Sequence, residues 1–389
     1  MKVLLISPNY PFPADKGDRI RVNSILRALI ANNVEVDLFC LEREGRELPE
    51  AGLELNDCKV FFINKNKARL RMLMAMFSWT SLTTAFFNES KFTKELQAVD
   101  FSAYDKVFIC SSCLGFLLPF LKAKDLADKL VWDLIDLDSI KWNVLSSKMF
   151  FLKKLIYKRE SRRIAAIEEE IIKLVDHSLL ITEREIVSLD KSIRYRKKIS
   201  AIPNSVNPLD LNQTLPQTKK YNLIFTGQMD YFPNMEAVKF FSKQVLPIVR
   251  AKLSRDVNLT IGGRNASQKF IKQCPHCRFL GDVEDMSVLV ASARVAVVPL
   301  LSVFGMPTKT LQAMACGLPL VVTPQVAEAL KLEDNRHALV ASSAQDFAED
   351  IVNLILDLNL ANRLTSEARN LIQNQYSEDY VASLVGEVL

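Results

Sequence analysis

Glycine is scarce in this chain: 11 of 389 residues, under half the roughly 7% of an average soluble protein. That excludes collagen-like and flexible low-complexity classes and makes each glycine informative. Six of the eleven fall between Gly227 and Gly317, a clustering that points to a site built from loops. Long apolar runs are missing too. Long uncharged stretches such as residues 72–88 and 107–121 are too short and too interrupted by Ser, Thr or Pro for the ~20 apolar residues of a bilayer-spanning helix. Residues 3–6 give the start only a four-position apolar run, where a secretion signal carries roughly 7 to 15, so the expected location is the cytoplasm.

Histidine (three) and cysteine (seven, an odd number) are sparse. The cysteines read as thiols of a reducing compartment. Two C-x-x-C pairs occur, Cys110/Cys113 and Cys274/Cys277, but they fall in different expected domains, so no metal site is expected. His177, His276 and His337 lie in no catalytic context and read as structural or surface residues.

The chain is 49% hydrophobic and 24% charged, enough to bury a large core, and its length suggests two domains. Charge is uneven. Residues 1–200 hold 33 basic and 27 acidic side chains, which leaves 17 and 18 for residues 201–389.

An apolar run at 3–7, a Pro-rich loop ending at Lys16-Gly17-Asp18, a helical face of Val22, Ile25, Leu26, Leu29 and Ile30, and a second apolar run at 34–40 make one βαβ unit. Such a unit implies a parallel sheet. Further strands are expected at 60–63, 106–109, 130–134 and 177–181. Residues 200–220 turn loop-like, with Pro203, Pro208 and Pro216, and mark a domain junction. A second alternation follows: strands at 222–226, 258–262, 278–280, 295–299 and 318–323, and helices at 235–253, 267–273, 286–293, 307–316, 344–357 and 361–375. The expected fold is α/β, two Rossmann-like domains facing across a cleft. Residues 1–200 form the first and 201–375 the second, and a terminal helix in 376–389 packs back on the first. Ligands of such sheets bind at the carboxyl ends of the strands.

Gly227, Gly262/Gly263 and Gly281 each follow an expected strand, where glycine lets a ligand approach the backbone and leaves N–H groups unblocked. The stretch 304–324 places Pro307 in the first turn of a helix, Lys309 beside that helix's positive end and Gly317 just past its last turn. A helix start with a lysine beside it is a diphosphate cradle in physical terms. Neither a G-x-G-x-x-G nor a Walker signature is present.

Here the sequence resembles the GT-B retaining glycosyltransferases of family 4, which include sucrose synthase and phosphatidylinositol mannosyltransferase, and among them most the bacterial sugar transferases of exopolysaccharide clusters. The residues that carry the likeness run from Pro11 to Arg21, Trp132 to Ser139, Ile202 to Val206, Thr226 to Asn234 and through the stretch around Gln312. The resemblance implies two Rossmann-like domains, with a nucleotide-sugar held mainly by the second. Gly17 would face the donor phosphates from the first domain, Arg264 and Lys309 would neutralise the diphosphate, and Gly281 to Val283 would frame the base. Gly227, Gln228 and Gly263 would line the site, the backbone of Gly305, Met306, Pro307 and Thr308 would touch phosphate and sugar, and Gln312 would reach the ribose.

Two departures stand out. Where the family carries glutamates eight residues apart this chain has Phe304 and Gln312, and Gln228 replaces the family's basic residue. A neutral amide in place of a carboxylate weakens a hydrogen bond to a hydroxyl by ~1–3 kcal/mol.

Asp133, Asp136 and Asp138 end or follow a strand. Asp136 or Asp138 would orient the acceptor or donor sugar; the alternative is that Asp138 or Ser139 caps the next helix. Residues 65–79 and 141–163 mix basic with apolar side chains in a manner that suits an anionic membrane surface, the alternative being a solvated helix face over core. No nucleic-acid module is present.

The expected activity is retaining transfer of a hexosyl group from a nucleotide-sugar to a glycan or lipid-linked surface acceptor. It would run without metal or cofactor, at the inner face of the membrane. The alternatives are a nucleotide-sugar epimerase of the same fold and a weakly active or silent scaffold of glycan assembly.

Overall fold

Apolar runs such as Val3–Ile6, buried along their whole length, read as strands covered on both faces, the condition of a parallel sheet with helices on either side. The computed structural model describes residues 1–189, 198–206, 221–254 and 256–389. These divide into two units, Met1–Asn204 with Val381–Leu389, and Ser205–Tyr380.

In the first unit, strands β1 (Lys2–Ser7), β2 (Glu35–Arg43), β3 (Asp57–Ile63), β4 (Lys106–Cys110), β5 (Leu130–Ile135), β6 (His177–Leu180) and β7 (Lys198–Ala201) form a sheet of order 3-2-1-4-5-6-7, parallel throughout. Its helices are α1 (Gly17–Ala31), α2 (Lys65–Met76), α3 (Leu82–Phe87), α4 (Ser90–Gln97), α5 (Leu118–Ala123), α6 (Asp138–Ser147), α7 (Phe151–Leu174) and α8 (Glu183–Ser188). Two apolar clusters form its core, one around Phe92, Ile109 and Trp132, the other around Leu5, Ile25 and Leu38. The second cluster also holds Val381, Ala382, Val385 and Val388 of the terminal segment, and Asn32 at the end of α1 donates to the Ala382 carbonyl (2.8 Å).

The second unit repeats the plan. Strands β8 (Tyr221–Thr226), β9 (Leu259–Gly262), β10 (Cys277–Gly281), β11 (Ala293–Val298), β12 (Leu320–Val322) and β13 (Leu339–Val340) are ordered 10-9-8-11-12-13 over one continuous core. In both sheets the strand order reverses beside the first strand, between β1 and β4 and between β8 and β11. That reversal makes the crevice where open α/β sheets take ligands.

The differences from expectation have local causes. Polar Lys198-Ile199-Ser200-Ala201 carries no apolar run, yet pairs with β6 as an edge strand, so the loop-like region starts only after it; Pro208 and Pro216 lie outside the described residues. The helix expected at 235–253 starts earlier, at Phe232, and passes through a π-helical turn, Phe241–Val245, before Leu246–Leu253. Pro247, which has no N–H for the preceding turn, accounts for the position of that irregularity.

Candidate active site

Glycines end successive strands of the second sheet. The Gly227 N–H donates to the Gly262 carbonyl (2.9 Å) and the Gly263 N–H to the Gly281 carbonyl (3.0 Å), so these ladders continue past the strands. This corrects one expectation: the N–H groups of Gly227 and Gly263 are spent on neighbouring strands and not presented to a ligand. What glycine supplies is space. A Cβ on Gly263, at φ +149°, would lie 1.9 Å from the Gly227 carbonyl oxygen. One on Gly227 would lie 2.6 Å from the Asn234 amide nitrogen and 2.7 Å from the Lys309 ammonium.

Lys309 is the centre of this arrangement. It sits in the first turn of the helix Thr308–Ala315, half-buried. Its Nζ donates to Asn234 Oδ1 (2.6 Å) and stands 4.0 Å from the centre of the Phe225 ring. Asn234, itself buried, donates onward to the Gln228 carbonyl (2.9 Å). No carboxylate pairs with Lys309 among the described residues, and loss of water around the ammonium lowers its pKa to about 7. An amine held this way gains most from an arriving anion.

The loop into that helix is pinned from below by Val303 and Met306, which pack on the core, and turns at Gly305 (φ +59°). Pro307 is the residue before the helix, not its first, a correction of one position; its carbonyl accepts from Thr310 N (2.8 Å). The N–H groups of Thr308 and Lys309 then have no carbonyl one turn back, as at any helix start. At the other end Gly317 (φ +71°) takes the left-handed position. Leu318 N bonds to Ala313 O and Gly317 N to Met314 O, both 3.0 Å, which is a Schellman stop.

Gln312 lies one turn beyond Lys309, on the same face, and its amide nitrogen is 3.4 Å from Ser287 Oγ. Arg264, after β9, pairs with Asp282, after β10 (2.8 Å); both are exposed. Val283 packs half-buried on the core. The second unit thus gathers Gly227, Gln228, Gly263, Arg264, Gly281, Val283, the 305–309 loop and Gln312 at the carboxyl ends of β8 to β11. Asn234 and Phe225 are additions, and Asp282, inside the stretch Gly281 to Val283, takes a further part as the partner of Arg264. Asn234 stood in the motif from Thr226, but nothing in sequence spacing brings it to Lys309.

The first unit carries Gly17, Asp136 and Asp138. Gly17 opens α1, with nothing within 4 Å of a Cβ built on it. Four residues on, Arg21 is fully buried and forks onto Asp133 (2.6 and 3.1 Å) while donating to the Ile202 carbonyl (2.6 Å). Asp133 is therefore a structural carboxylate. Past it, Ile135 takes φ +69°, a strained conformation for a β-branched residue, and the register with β6 slips. Burial pushes the Asp136 carboxyl up to about 6 against the pull of the Lys141 ammonium. Asp138 accepts from Ser112 Oγ (2.7 Å) and Lys141 Nζ (3.5 Å). Neither Asp138 nor Ser139 caps α6, contrary to the alternative above: the cap position is Leu137. The Ser139 N–H (3.1 Å) and hydroxyl both go to the buried Glu168 of α7, whose carboxyl burial raises to about 8.

Two histidines take structural parts: His177 Nε2 lies 2.8 Å from Ser200 Oγ, and His337 Nδ1 accepts from Glu333 N; His276 is exposed. Among the described residues no group of three or more His, Cys, Asp or Glu is disposed to hold a metal, and no helix is long and apolar enough to cross a membrane.

Two parallel-sheet α/β units with these strand orders are the GT-B architecture. Residues 220–357, which span the second sheet, match the family "Glycosyl transferases group 1". A "44.6 kDa protein in cps region" of Klebsiella pneumoniae is 21% identical over 99% of this chain and 98% of its own length. Sucrose-phosphate synthase from Thermosynechococcus elongatus superposes with a TM-score of 0.71 (16% identity; 100% and 98% covered). WaaG, a glycosyltransferase involved in lipopolysaccharide biosynthesis, gives 0.64 (15%; 99% of each). HepE of Anabaena, solved with UDP-glucose, gives 0.62 (14%; 100% and 99%).

Proposed function

We propose that this protein transfers a hexosyl group from a nucleoside-diphosphate sugar to a glycan or lipid-linked acceptor of a surface polysaccharide, with retention of configuration and without metal. The observation that carries the reading is the desolvated Lys309 ammonium beside Gly227 and a helix start, in the part of the chain that matches the group 1 family. Structural neighbours solved with UDP and UDP-glucose support the donor class, and the cps-region relative supports the polysaccharide setting.

In this reading the C1–O bond to the diphosphate breaks while the acceptor oxygen bonds C1 on the same face, and the acceptor's proton passes to the departing phosphate oxygen. Lys309, Arg264 and the N–H groups of Thr308 and Lys309 stabilise the charge that develops on the leaving group, usually the largest catalytic contribution. Arg264 exchanges exposed Asp282 for the diphosphate. Gln228, the Gly305–Pro307 backbone, Gly281 and Val283 line the donor and Gln312 binds a donor hydroxyl; in the first unit Gly17, Asp136 and Asp138 are the groups that would bind phosphate, acceptor or sugar.

Phe304 and Gln312, where the family resemblance places glutamates, favour a second reading, a slow enzyme or silent scaffold. The test is thermal shift and donor hydrolysis with UDP-, GDP- and ADP-sugars, on the wild type and Gln312→Glu. Binding of one donor, with turnover raised roughly fivefold or more by the glutamate, is expected. No binding to any donor overturns the proposal, and binding without turnover in either protein supports the scaffold.

A further inference from the structure

Two segments far apart in the chain, 65–79 and 148–163, are locked together in the first unit. Arg159 Nη2 of α7 donates to the carbonyls of Ala75 (2.6 Å), Ser78 (2.6 Å) and Thr80 (3.0 Å) at the end of α2. The Arg163 guanidinium lies 3.8 Å from the Trp79 ring centre. Glu160, buried, accepts from Ser81 Oγ and from the N–H groups of Leu82 and Thr83 (2.6–2.9 Å).

What this clamp holds outward is unusual. Phe77 and Trp79 are 86% and 83% exposed, and Phe150 and Phe151 at the start of α7 are 94% and 77% exposed. Phe151, Leu155 and Arg159 repeat at four-residue intervals and so form one stripe along α7, leading from the exposed aromatics at its start to the loop that carries Phe77 and Trp79. Lone exposed apolar residues are common, but a concentration of large ones at helix ends and one loop marks an interaction surface.

The charge around it selects the partner. Lys65, Lys67, Arg69, Lys153, Lys154 and Lys158 are exposed on α2 and α7, and the one acidic residue within either segment, Glu160, is buried. A second copy presenting the same face would meet like charge. We propose that this surface docks on an anionic phospholipid bilayer, the aromatics entering the headgroup–acyl boundary and the lysines staying at phosphate level.

The test uses the full chain, with vesicles of phosphatidylcholine alone or mixed with phosphatidylglycerol, and needs no sugar donor, so it stands or falls apart from the transfer reading. Expected are sedimentation with the mixed vesicles only, release by high salt and a blue shift of Trp79 emission. Lys153→Glu/Lys154→Glu/Lys158→Glu lowers vesicle affinity by about a hundredfold with an unchanged melting temperature, and Phe77→Ser/Trp79→Ser abolishes stable binding with at most a small drop in melting temperature, from the lost stacking on Arg163. Equal binding to neutral vesicles, no binding, or variants that bind like the wild type overturn the proposal. So does a concentration-dependent dimer that Phe77→Ser/Trp79→Ser dissolves, since the surface would then face a second copy.

Discussion

Lys309 has given up most of its water for one amide oxygen, one aromatic face and a crowded glycine. Its folded-state pKa, about 7, lies below the ordinary lysine range. A diphosphate arriving beside it favours the ammonium and raises that pKa, so donor binding above pH 7 takes up a proton. Nucleoside-diphosphate affinity should therefore fall as pH rises from 7 towards the ordinary lysine pKa, by up to about tenfold per unit. Calorimetry in buffers of different ionisation enthalpy should register the uptake at pH 8. Lys309→Met should bind more weakly below pH 7 and lose both the slope and the uptake; a pH-independent wild type would show that this amine does not meet the diphosphate. The position of Lys309 at a helix start was legible in the sequence. Its desolvation was not, because Asn234 and Phe225 reach it from another strand and helix.

At the scale of elements, the loops of the candidate site in the second unit are held by contacts between strand ends. Gly263 is the sharpest case, its hydrogens packed against the Gly227 carbonyl in a conformation that L side chains avoid. Gly263→Ala should cost about 2–4 kcal/mol in strain and displaced backbone, read by urea unfolding, and should weaken donor binding by shifting Gly227 and the Arg264 backbone, which receives the Met229 N–H (2.8 Å). A variant as stable as the wild type would refute the close approach. The glycines and their strand-end positions were readable from the order of apolar runs; that two of their N–H groups are consumed in the sheet was not, since the partner carbonyls, Gly262 and Gly281, lie on other strands remote in the sequence. Pro307 and Leu137 make the same point about helix starts, which loop geometry shifts by a residue from where composition puts them.

For the whole molecule, the chain's last residues belong to its first unit. Val381, Val385 and Val388 are buried in the cluster with Ile25 and Leu26, and at ~1.5 kcal/mol for each valine deletion of 381–389 should remove about 4.5 kcal/mol from the first unit. Hydrogen exchange should show α1 losing protection while the helix Thr308–Ala315 keeps it; equal loss in both would contradict the assignment. The basic excess of residues 1–200 belongs to this scale as well, because much of it lines the surface proposed to meet the bilayer, whereas the unit matched to the sugar-transferase family is near neutral.

The sequence by itself determined the two parallel sheets, because runs such as Val3–Ile6 and Val295–Val298 are too continuously apolar for anything but strands covered on both faces. It also determined, to within one residue, the extent of the helix Thr308–Ala315, which lies between Pro307 and Gly317. Those are properties of neighbours in the chain. Only the tertiary structure decided that Lys309 stands dry beside Asn234, that Asp133 is spent on Arg21 while Asp136 and Asp138 are not, and that α2 and α7 present one face. Each of these depends on water being removed by a segment remote in sequence, and desolvation is set by what packs from outside.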